Sequence, residues 1–314
     1  MAAVVISEFM DEDAIHRHLG GLDVLYDPAL VDKPDALSAA LANARALIVR
    51  NRTQVRAALL AAGPRLEAIG RLGVGLDNIE VAACRARGVA VYPATGANNL
   101  SVAEYVIAAA LVLRRGAYAA TAEVIAGQWP RTRLMGREVA GARLGLVGYG
   151  AIAREVARRA LAMGMIVAAH DPHVGRSDAA WRTPWGEVTP ASLGDLLADS
   201  DIVSLHVPLT AETSNLLDRA ALKRMKRDAI LINAARGGVI DEGALAQALK
   251  AGALGGAALD VFCEEPLTAS RAGIFEGCPN LILTPHIAGV TVESNVRVSN
   301  LVAKKIRDHL QGKE

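Results

Sequence analysis

Cysteine is scarce in this sequence, with Cys84, Cys263 and Cys278 alone among 314 residues. Three widely separated thiols make neither a metal-binding spacing nor a disulfide framework, so no metal is expected and a reduced, cytoplasmic setting is the simplest reading. Aromatic residues are nearly as sparse, at 4%. No charge of one sign dominates: 34 basic residues face 33 acidic ones, which removes the general attraction to polyanions on which nucleic-acid binding rests. The apolar stretch from Val106 to Leu113 is far too short to span a bilayer, so no membrane partner is expected. The N-terminus has no basic region and soon reaches Asp11-Glu12-Asp13, which argues against a secretory signal.

What the chain does have is hydrophobic residues, 52% of the total and largely alanine, in a length that suits two domains of moderate size. Short apolar runs alternate with helical patterns throughout. In the first hundred residues the runs Val4 to Ile6, Val24 to Tyr26, Ala46 to Val49, Ala68 to Leu72 and Val89 to Tyr92 read as strands. The segments 35–42, 54–62 and 79–86 between them have helical spacing, which makes a small parallel α/β unit. Ser101 to Arg115 reads as a long helix with Ser101 as N-cap and Glu104 completing a capping box. A second helical pattern, 118–128, leads into the arginine-rich segment 129–137. Six further strands are expected at 144–147, 166–169, 202–206, 229–233, 256–259 and 281–284, with helices between them, as in a dinucleotide-binding sheet. Helical spacing returns from Val292 to Leu310.

The most informative stretch is Leu144-Gly145-Leu146-Val147-Gly148-Tyr149-Gly150-Ala151-Ile152-Ala153. It begins as a buried strand and ends as a helix, with a glycine turn between. Such a turn lets the backbone approach an anion, and the helix N-terminus at Ala151 and Ile152 offers free N–H groups and a favourable dipole. About 20 residues further on, after the next strand, stands Asp171, where a carboxylate can accept hydrogen bonds from both ribose hydroxyls of an adenosine. The same carboxylate would repel a 2′-phosphate, which favours NAD over NADP.

Ligands in open parallel sheets collect at the carboxyl ends of the strands. Here those ends carry His206-Val207-Pro208, Asn233-Ala234-Ala235-Arg236, Asp260 to Glu265, and Pro285-His286. A guanidinium can hold a carboxylate bidentately and polarise a neighbouring carbonyl, an imidazolium can deliver a proton, and a carboxylate beside that imidazole keeps it charged. Reduction of a 2-keto acid needs those three groups.

At these residues the chain resembles the D-isomer-specific 2-hydroxyacid dehydrogenases, the family that includes 3-phosphoglycerate dehydrogenase. The likeness extends over Gly73-Val74-Gly75-Leu76-Asp77-Asn78, Ser101-Val102-Ala103-Glu104, Gly148-Tyr149-Gly150-Ala151-Ile152, His206-Val207-Pro208-Leu209-Thr210, Asn233-Ala234-Ala235-Arg236-Gly237, Leu259-Asp260-Val261-Phe262 and Thr284-Pro285-His286. The resemblance implies two Rossmann-like or flavodoxin-like α/β domains with doubly wound parallel sheets and a cleft between them. Residues 98–286 would form the dinucleotide-binding domain, and 1–97 with 287–314 a discontinuous substrate-binding domain. It implies an NAD-dependent dehydrogenase in which Arg236 orients the substrate carboxylate and carbonyl, Glu265 raises the pKa of the imidazole, and His286 is the acid–base. Val74 and Gly75 would hold the substrate carboxylate through backbone N–H groups. Asp260 would receive the nicotinamide carboxamide, while His206, Pro208, Thr213 and Ala234 line the cofactor. A homodimer through the dinucleotide domain is the usual assembly. Ala153 stands where the family has a third glycine, and Cys263 reads as a small loop filler whose pKa nearby carboxylates raise.

The substrate is less fixed. The segment Arg50-Asn51-Arg52-Thr53 follows the third strand and should lie near the cleft, with Asn51 and Arg52 as substrate contacts. Cations there, and Arg131 and Arg133 elsewhere, favour a dianionic acid of the 3-phosphoglycerate or sulfolactate type. The segment from Ile6 to Asp11 adds a local likeness to sulfolactate dehydrogenases. The competing readings are an NAD-responsive binding protein of the corepressor type and a phosphite dehydrogenase-like oxidoreductase.

Overall fold

The computed structural model describes residues 2–313. Strands Val4–Ile6 (β1), Val24–Tyr26 (β2), Ala46–Val49 (β3), Ala68–Arg71 (β4) and Ala90–Pro93 (β5) form one sheet in the order β2-β1-β3-β4-β5. All of its pairings are parallel. The second sheet is built from Arg143–Val147 (β6), Ile166–His170 (β7), Thr189–Pro190 (β10), Ile202–Leu205 (β11), Ile230–Asn233 (β12), Gly256–Leu259 (β13) and Leu281–Leu283 (β14). Its order is β10-β7-β6-β11-β12-β13-β14, again entirely parallel. Between β7 and β10 the short strands Arg182–Thr183 (β8) and Gly186–Glu187 (β9) pair with each other as an antiparallel hairpin.

Every residue of β1, β3, β11, β12 and β13 is buried. That explains why they read as apolar runs, interrupted only by Ser204 and Asn233, rather than as alternating patterns: helices cover both faces of a parallel sheet. Each sheet accordingly has two apolar clusters, one per face. The order of strands reverses between β1 and β3 in the first sheet and between β6 and β11 in the second, and such reversals open crevices at the carboxyl ends.

The chain divides into two compact units, residues 2–98 with 290–313 and residues 99–289. The terminal helix Val292–Leu310 belongs to the first, where Val298, Val302, Ala303, Ile306 and Leu310 join Val4, Ile6 and Ile48 in one cluster. Thr291 caps this helix in a reciprocal capping box with Ser294.

Several elements differ from the sequence expectation. The long helix starts at Asn99, so Ser101 is a buried residue of its first turn and not its N-cap. Helix 118–128 is broken into a 3₁₀ turn, Ala117–Ala120, and a short helix, Thr121–Ile125, after Gly116 turns left-handed. The helix expected from Gln54 begins at Ala57, because Val55 is held extended by a bridge to Ile79. The second sheet has a seventh strand, β10, two residues long with a proline, which an edge position tolerates and periodicity does not reveal.

Candidate active site

In the second unit, Gly148 follows β6 with φ +90°, and a Cβ there would lie 2.6 Å from the carbonyl oxygen of His206. Only glycine fits a turn that close to the neighbouring strand end. Gly150, by contrast, faces open space, with no atom within 4 Å of where a Cβ would sit. It precedes the helix Ala151–Ala162, whose N-terminus has no side-chain cap, so the first N–H groups, at Ala151 and Ile152, remain for an anion. Ala153 is fully buried under the helix and fills the place of a third glycine without disturbing it. Tyr149 turns inward and stacks on Trp181 with ring centroids 4.9 Å apart.

Asp171 follows β7 and accepts hydrogen bonds from the Tyr149 amide and the His173 amide, each at 2.9 Å. The bonds fix the carboxylate beside the glycine turn, and each oxygen keeps a second lone pair. The turn, the uncapped helix end and the carboxylate together fit the pyrophosphate and adenosine ribose of a dinucleotide.

Further along the sheet, His206 sits half-buried beyond β11, 3.0 Å from the Ser204 hydroxyl. Burial pushes its pKa from the ordinary 6.5 down to about 4, so the ring is neutral at physiological pH. The loop after it is closed by Thr213, which donates to the Pro208 carbonyl at 2.6 Å and accepts from the Thr210 amide at 2.8 Å. At the end of β12, buried Asn233 donates to the Arg236 carbonyl at 2.9 Å and accepts from the Ala235 amide at 3.1 Å. Those two bonds shape the turn in which Ala234 and Arg236 sit half-buried.

Glu265 and His286 are brought into direct contact, carboxylate oxygen to Nδ1 at 2.7 Å. The other Glu265 oxygen accepts from the Phe262 amide at 3.0 Å. Burial alone would push the Glu265 carboxyl up. The His286 bond, the Phe262 amide and the charges of His286 and Arg236 outweigh it and hold the group below the usual carboxylate range. His286 itself has φ +55°, a left-handed conformation rare for a residue with a side chain. Its backbone is pinned by its amide donating to the Asp260 carbonyl at 2.8 Å. Asp260, 1% exposed, accepts from Thr284 Oγ1 at 2.6 Å and from the Ile287 and Ala288 amides, each at 2.8 Å. Its carboxylate thus braces the loop that carries His286, a task that its position after an apolar strand did not disclose.

Cys263 is exposed, and its thiol is pushed up by burial of the sulfur and by Glu242. The carboxylates that act on it are therefore those of Glu242 and Asp241, not the adjacent Glu264 or Glu265.

In the first unit, the loop after β3 is held from inside. The buried Glu8 carboxylate accepts from the amides of Arg50 (2.9 Å), Arg52 (3.1 Å) and Thr53 (2.9 Å). Asn78, also buried, donates to the carbonyls of Arg50 (3.2 Å) and Thr53 (2.8 Å). The Arg50 side chain packs over the Phe9 ring, 5.7 Å from its centroid, and donates to Asn295 on the terminal helix. Burial lowers its pKa, partly offset by the Glu8 charge, yet a guanidinium stays protonated. Arg52 points elsewhere: its guanidinium pairs with Asp32, both largely exposed, and Asn51 is exposed too. At the end of β4 the Arg71 guanidinium lies across Gly73, 1.4 Å from where a Cβ would be, next to the half-buried Val74 and Gly75. Arg71 and Glu8 carried no role in the sequence reading. The available signals were a charged residue within an otherwise apolar run, Arg71, and one two positions beyond such a run, Glu8.

A doubly wound domain with a glycine turn, an uncapped helix and a strand-end carboxylate defines an NAD-binding protein, and the comparisons agree. Residues 107–288 match the family described as D-isomer specific 2-hydroxyacid dehydrogenase, NAD binding domain. A protein named (S)-sulfolactate dehydrogenase from Chromohalobacter salexigens is 55% identical over 98% of this chain and 98% of its own length. D-3-phosphoglycerate dehydrogenase from Mycobacterium bovis is 43% identical over 90% of this chain, which spans only 52% of that protein. D-lactate dehydrogenase from Aquifex aeolicus, solved with NAD and lactic acid, shares 29% identity with a TM-score of 0.86, covering 99% of this chain and 96% of that one. The chain belongs to the D-isomer-specific 2-hydroxyacid dehydrogenase family and is an NAD-dependent oxidoreductase of 2-hydroxy acids. No helix among the described residues is long and apolar enough to cross a membrane.

Proposed function

We propose that the substrate is a small 2-hydroxy acid bearing a second anionic group, a sulfonate of the sulfolactate type, oxidised to the 2-keto acid. The observation that carries this reading is the pair of guanidinium groups at adjacent strand ends of the first unit. Arg50 directly follows Val49, and Val49 is the register partner of Arg71. The buried carboxylate of Glu8 fixes the Arg50 loop, so the cation is preorganised rather than free. A monoanionic acid such as lactate needs one cation for its carboxylate. Two more make sense for a sulfonate or phosphate, and the extent of the likeness to a sulfolactate dehydrogenase favours the sulfonate.

In this reading Gly148, Gly150, Ala151 and Ile152 hold the pyrophosphate, Asp171 the ribose, and His206, Pro208, Thr213, Ala234 and Asp260 border the nicotinamide half. The bound dinucleotide supplies hydride chemistry. The second unit's own part is to bind the substrate carboxylate with Arg236 and to take the hydroxyl proton on His286, while the first unit offers the amides of Val74 and Gly75 to an anion. Glu265 stabilises the imidazolium that forms. Neutral His206 adds no charge near the cofactor.

The reading includes a cytoplasmic homodimer joined through the second unit. Its support is an apolar run of side chains left on one segment: Tyr118 is 68% exposed, Ile125 83%, Trp129 76% and Met135 79%.

A steady-state screen of lactate, glycerate, 3-phosphoglycerate, malate, 2-hydroxyglutarate and both enantiomers of sulfolactate with NAD tests the substrate. Preference for lactate or glycerate over every dianionic acid removes the reading. Light scattering on the purified protein tests the dimer.

A further inference from the structure

The long helix Asn99–Arg115 sends the Tyr105 side chain toward the loop of His286. The Tyr105 hydroxyl lies 2.7 Å from Thr284 Oγ1, and Thr284 Oγ1 donates to Asp260 Oδ1 at 2.6 Å. A threonine hydroxyl has a single proton. Once that proton is given to Asp260 Oδ1, the contact with Tyr105 can form only if Tyr105 donates. The chain is therefore polar in one sense, Tyr105 to Thr284 to Asp260. Asp260 in turn accepts from the amides of Ile287 and Ala288, and its own carbonyl takes the His286 amide. The residue held at the centre of this brace is in a left-handed conformation that persists only when its surroundings over-determine it.

We propose that Tyr105 is a positioning residue for His286, acting through Thr284 and Asp260. It touches none of Arg236, Glu265 or His286 through any hydrogen bond described above. Its donated bond removes the rotational freedom of the Thr284 hydroxyl, which fixes the Asp260 carboxylate and so the aim of the imidazole. Without it, Thr284 can turn its proton away. Asp260 then keeps its two backbone amides but loses a lateral anchor, and the loop samples geometries in which the ring is off line. A catalytic group displaced by about 1 Å loses on the order of 10²-fold in rate. A weakened brace, which misplaces the ring only part of the time, should cost about 5- to 30-fold.

The proposal rests on the assignment of His286 as acid–base, and the test separates the two. In the full-length enzyme, turnover, KM and NADH affinity are measured for Tyr105→Phe, Thr284→Val, Thr284→Ser, the double variant Y105F/T284V and His286→Asn. Tyr105→Phe should lower kcat about 5- to 30-fold with KM and the NADH Kd nearly unchanged. Thr284→Ser, which keeps the hydroxyl, should retain most of the rate. The double variant should be no slower than Thr284→Val alone, because both changes interrupt one chain. A wild-type kcat in Tyr105→Phe, additive losses in the double variant, or a loss that tracks a lowered Tm and is shared by Thr284→Ser would overturn the proposal. Near-normal turnover in His286→Asn would instead overturn the acid–base assignment. Loss there with full activity in Tyr105→Phe would leave that assignment standing and remove only the positioning role.

Discussion

Glu265 holds His286 by Nδ1 at 2.7 Å, and the same carboxylate is anchored by the Phe262 amide at 3.0 Å. One ring nitrogen is thereby committed and the tautomer fixed, which leaves Nε2 for proton exchange with the substrate oxygen. His286→Ala should lower kcat by about 10²–10⁴-fold, the usual worth of a positioned proton donor, with NADH affinity little altered. Stopped-flow turnover together with fluorescence titration of NADH checks both halves. A variant turning over at close to the native rate removes His286 from the mechanism.

His206 gives the fold an acid sensitivity of known sign. Its pKa is depressed from 6.5 to about 4 because the charged ring is poorly hydrated where it sits. Below the ordinary histidine value the unfolded chain takes up a proton that the folded chain refuses, so the folded state loses stability as pH falls from about 6.5 to about 4. The loss levels off below that, at a total on the order of 3 kcal/mol for this one group. His206→Gln should abolish this component. Thermal denaturation of both proteins at pH 7 and pH 4.5 should show a larger fall in Tm for the native protein. Equal falls would mean that His206 is better hydrated than its surroundings imply.

Most of this architecture is legible in the sequence because parallel strands covered on both faces are largely apolar, and runs such as Ile230–Asn233 and Ile202–Leu205 show little alternation. The glycine turn is equally legible, since Gly148 answers a steric demand that no other residue meets. Effects of tertiary contact are not. Asn99 rather than Ser101 opens the long helix, an end that the capping pattern at Ser101 and Glu104 does not show. The strand Thr189–Pro190 is too short to show a period. Among the site residues, Arg50 and Arg52 look alike in sequence. Only the fold shows that Arg50 is drawn inward toward Asn295 while Arg52 is spent on Asp32. Glu8 lies more than forty positions from the loop it organises, a relation that no local pattern carries.

That difference between two arginines makes a prediction about specificity. Arg50→Gln removes a charge-assisted contact worth about 1.5–3 kcal/mol, or roughly 10- to 100-fold, from any substrate whose second anion it holds. kcat/KM for sulfolactate should fall by that factor, while the much lower value for a monoanionic acid such as lactate should change little. Arg52→Gln should leave both nearly untouched, since its partner Asp32 is on the exposed side of the loop. If Arg52→Gln is the variant that loses sulfolactate, the anion contacts are those first read from the sequence, Asn51 and Arg52. Proper folding of Arg50→Gln is checked by its Tm, because Glu8 loses a neighbouring cation while keeping its three amide bonds.

The two glycines of the turn should fail in different ways, and the difference tests whether the turn is there for a ligand. A methyl group on Gly148 meets the His206 carbonyl oxygen at 2.6 Å, with the backbone at φ +90°. Gly148→Ala therefore strains the empty protein, at a cost of at least ~1–3 kcal/mol, and should lower Tm with or without NAD. A methyl group on Gly150 meets no protein atom within 4 Å, and φ there is −76°, which alanine adopts freely. Gly150→Ala should keep the native Tm when no cofactor is added, or exceed it slightly, because alanine is less flexible in the unfolded chain. Its failure should appear only on binding. The methyl group would occupy the space in front of the uncapped helix end, so the NADH Kd should rise about 10-fold or more and the gain in Tm on adding NADH should shrink accordingly. Isothermal titration and thermal shift, each run with and without NADH, give all four values. An unaltered NADH affinity in Gly150→Ala would mean that the open space in front of Ala151 is not where the pyrophosphate lies.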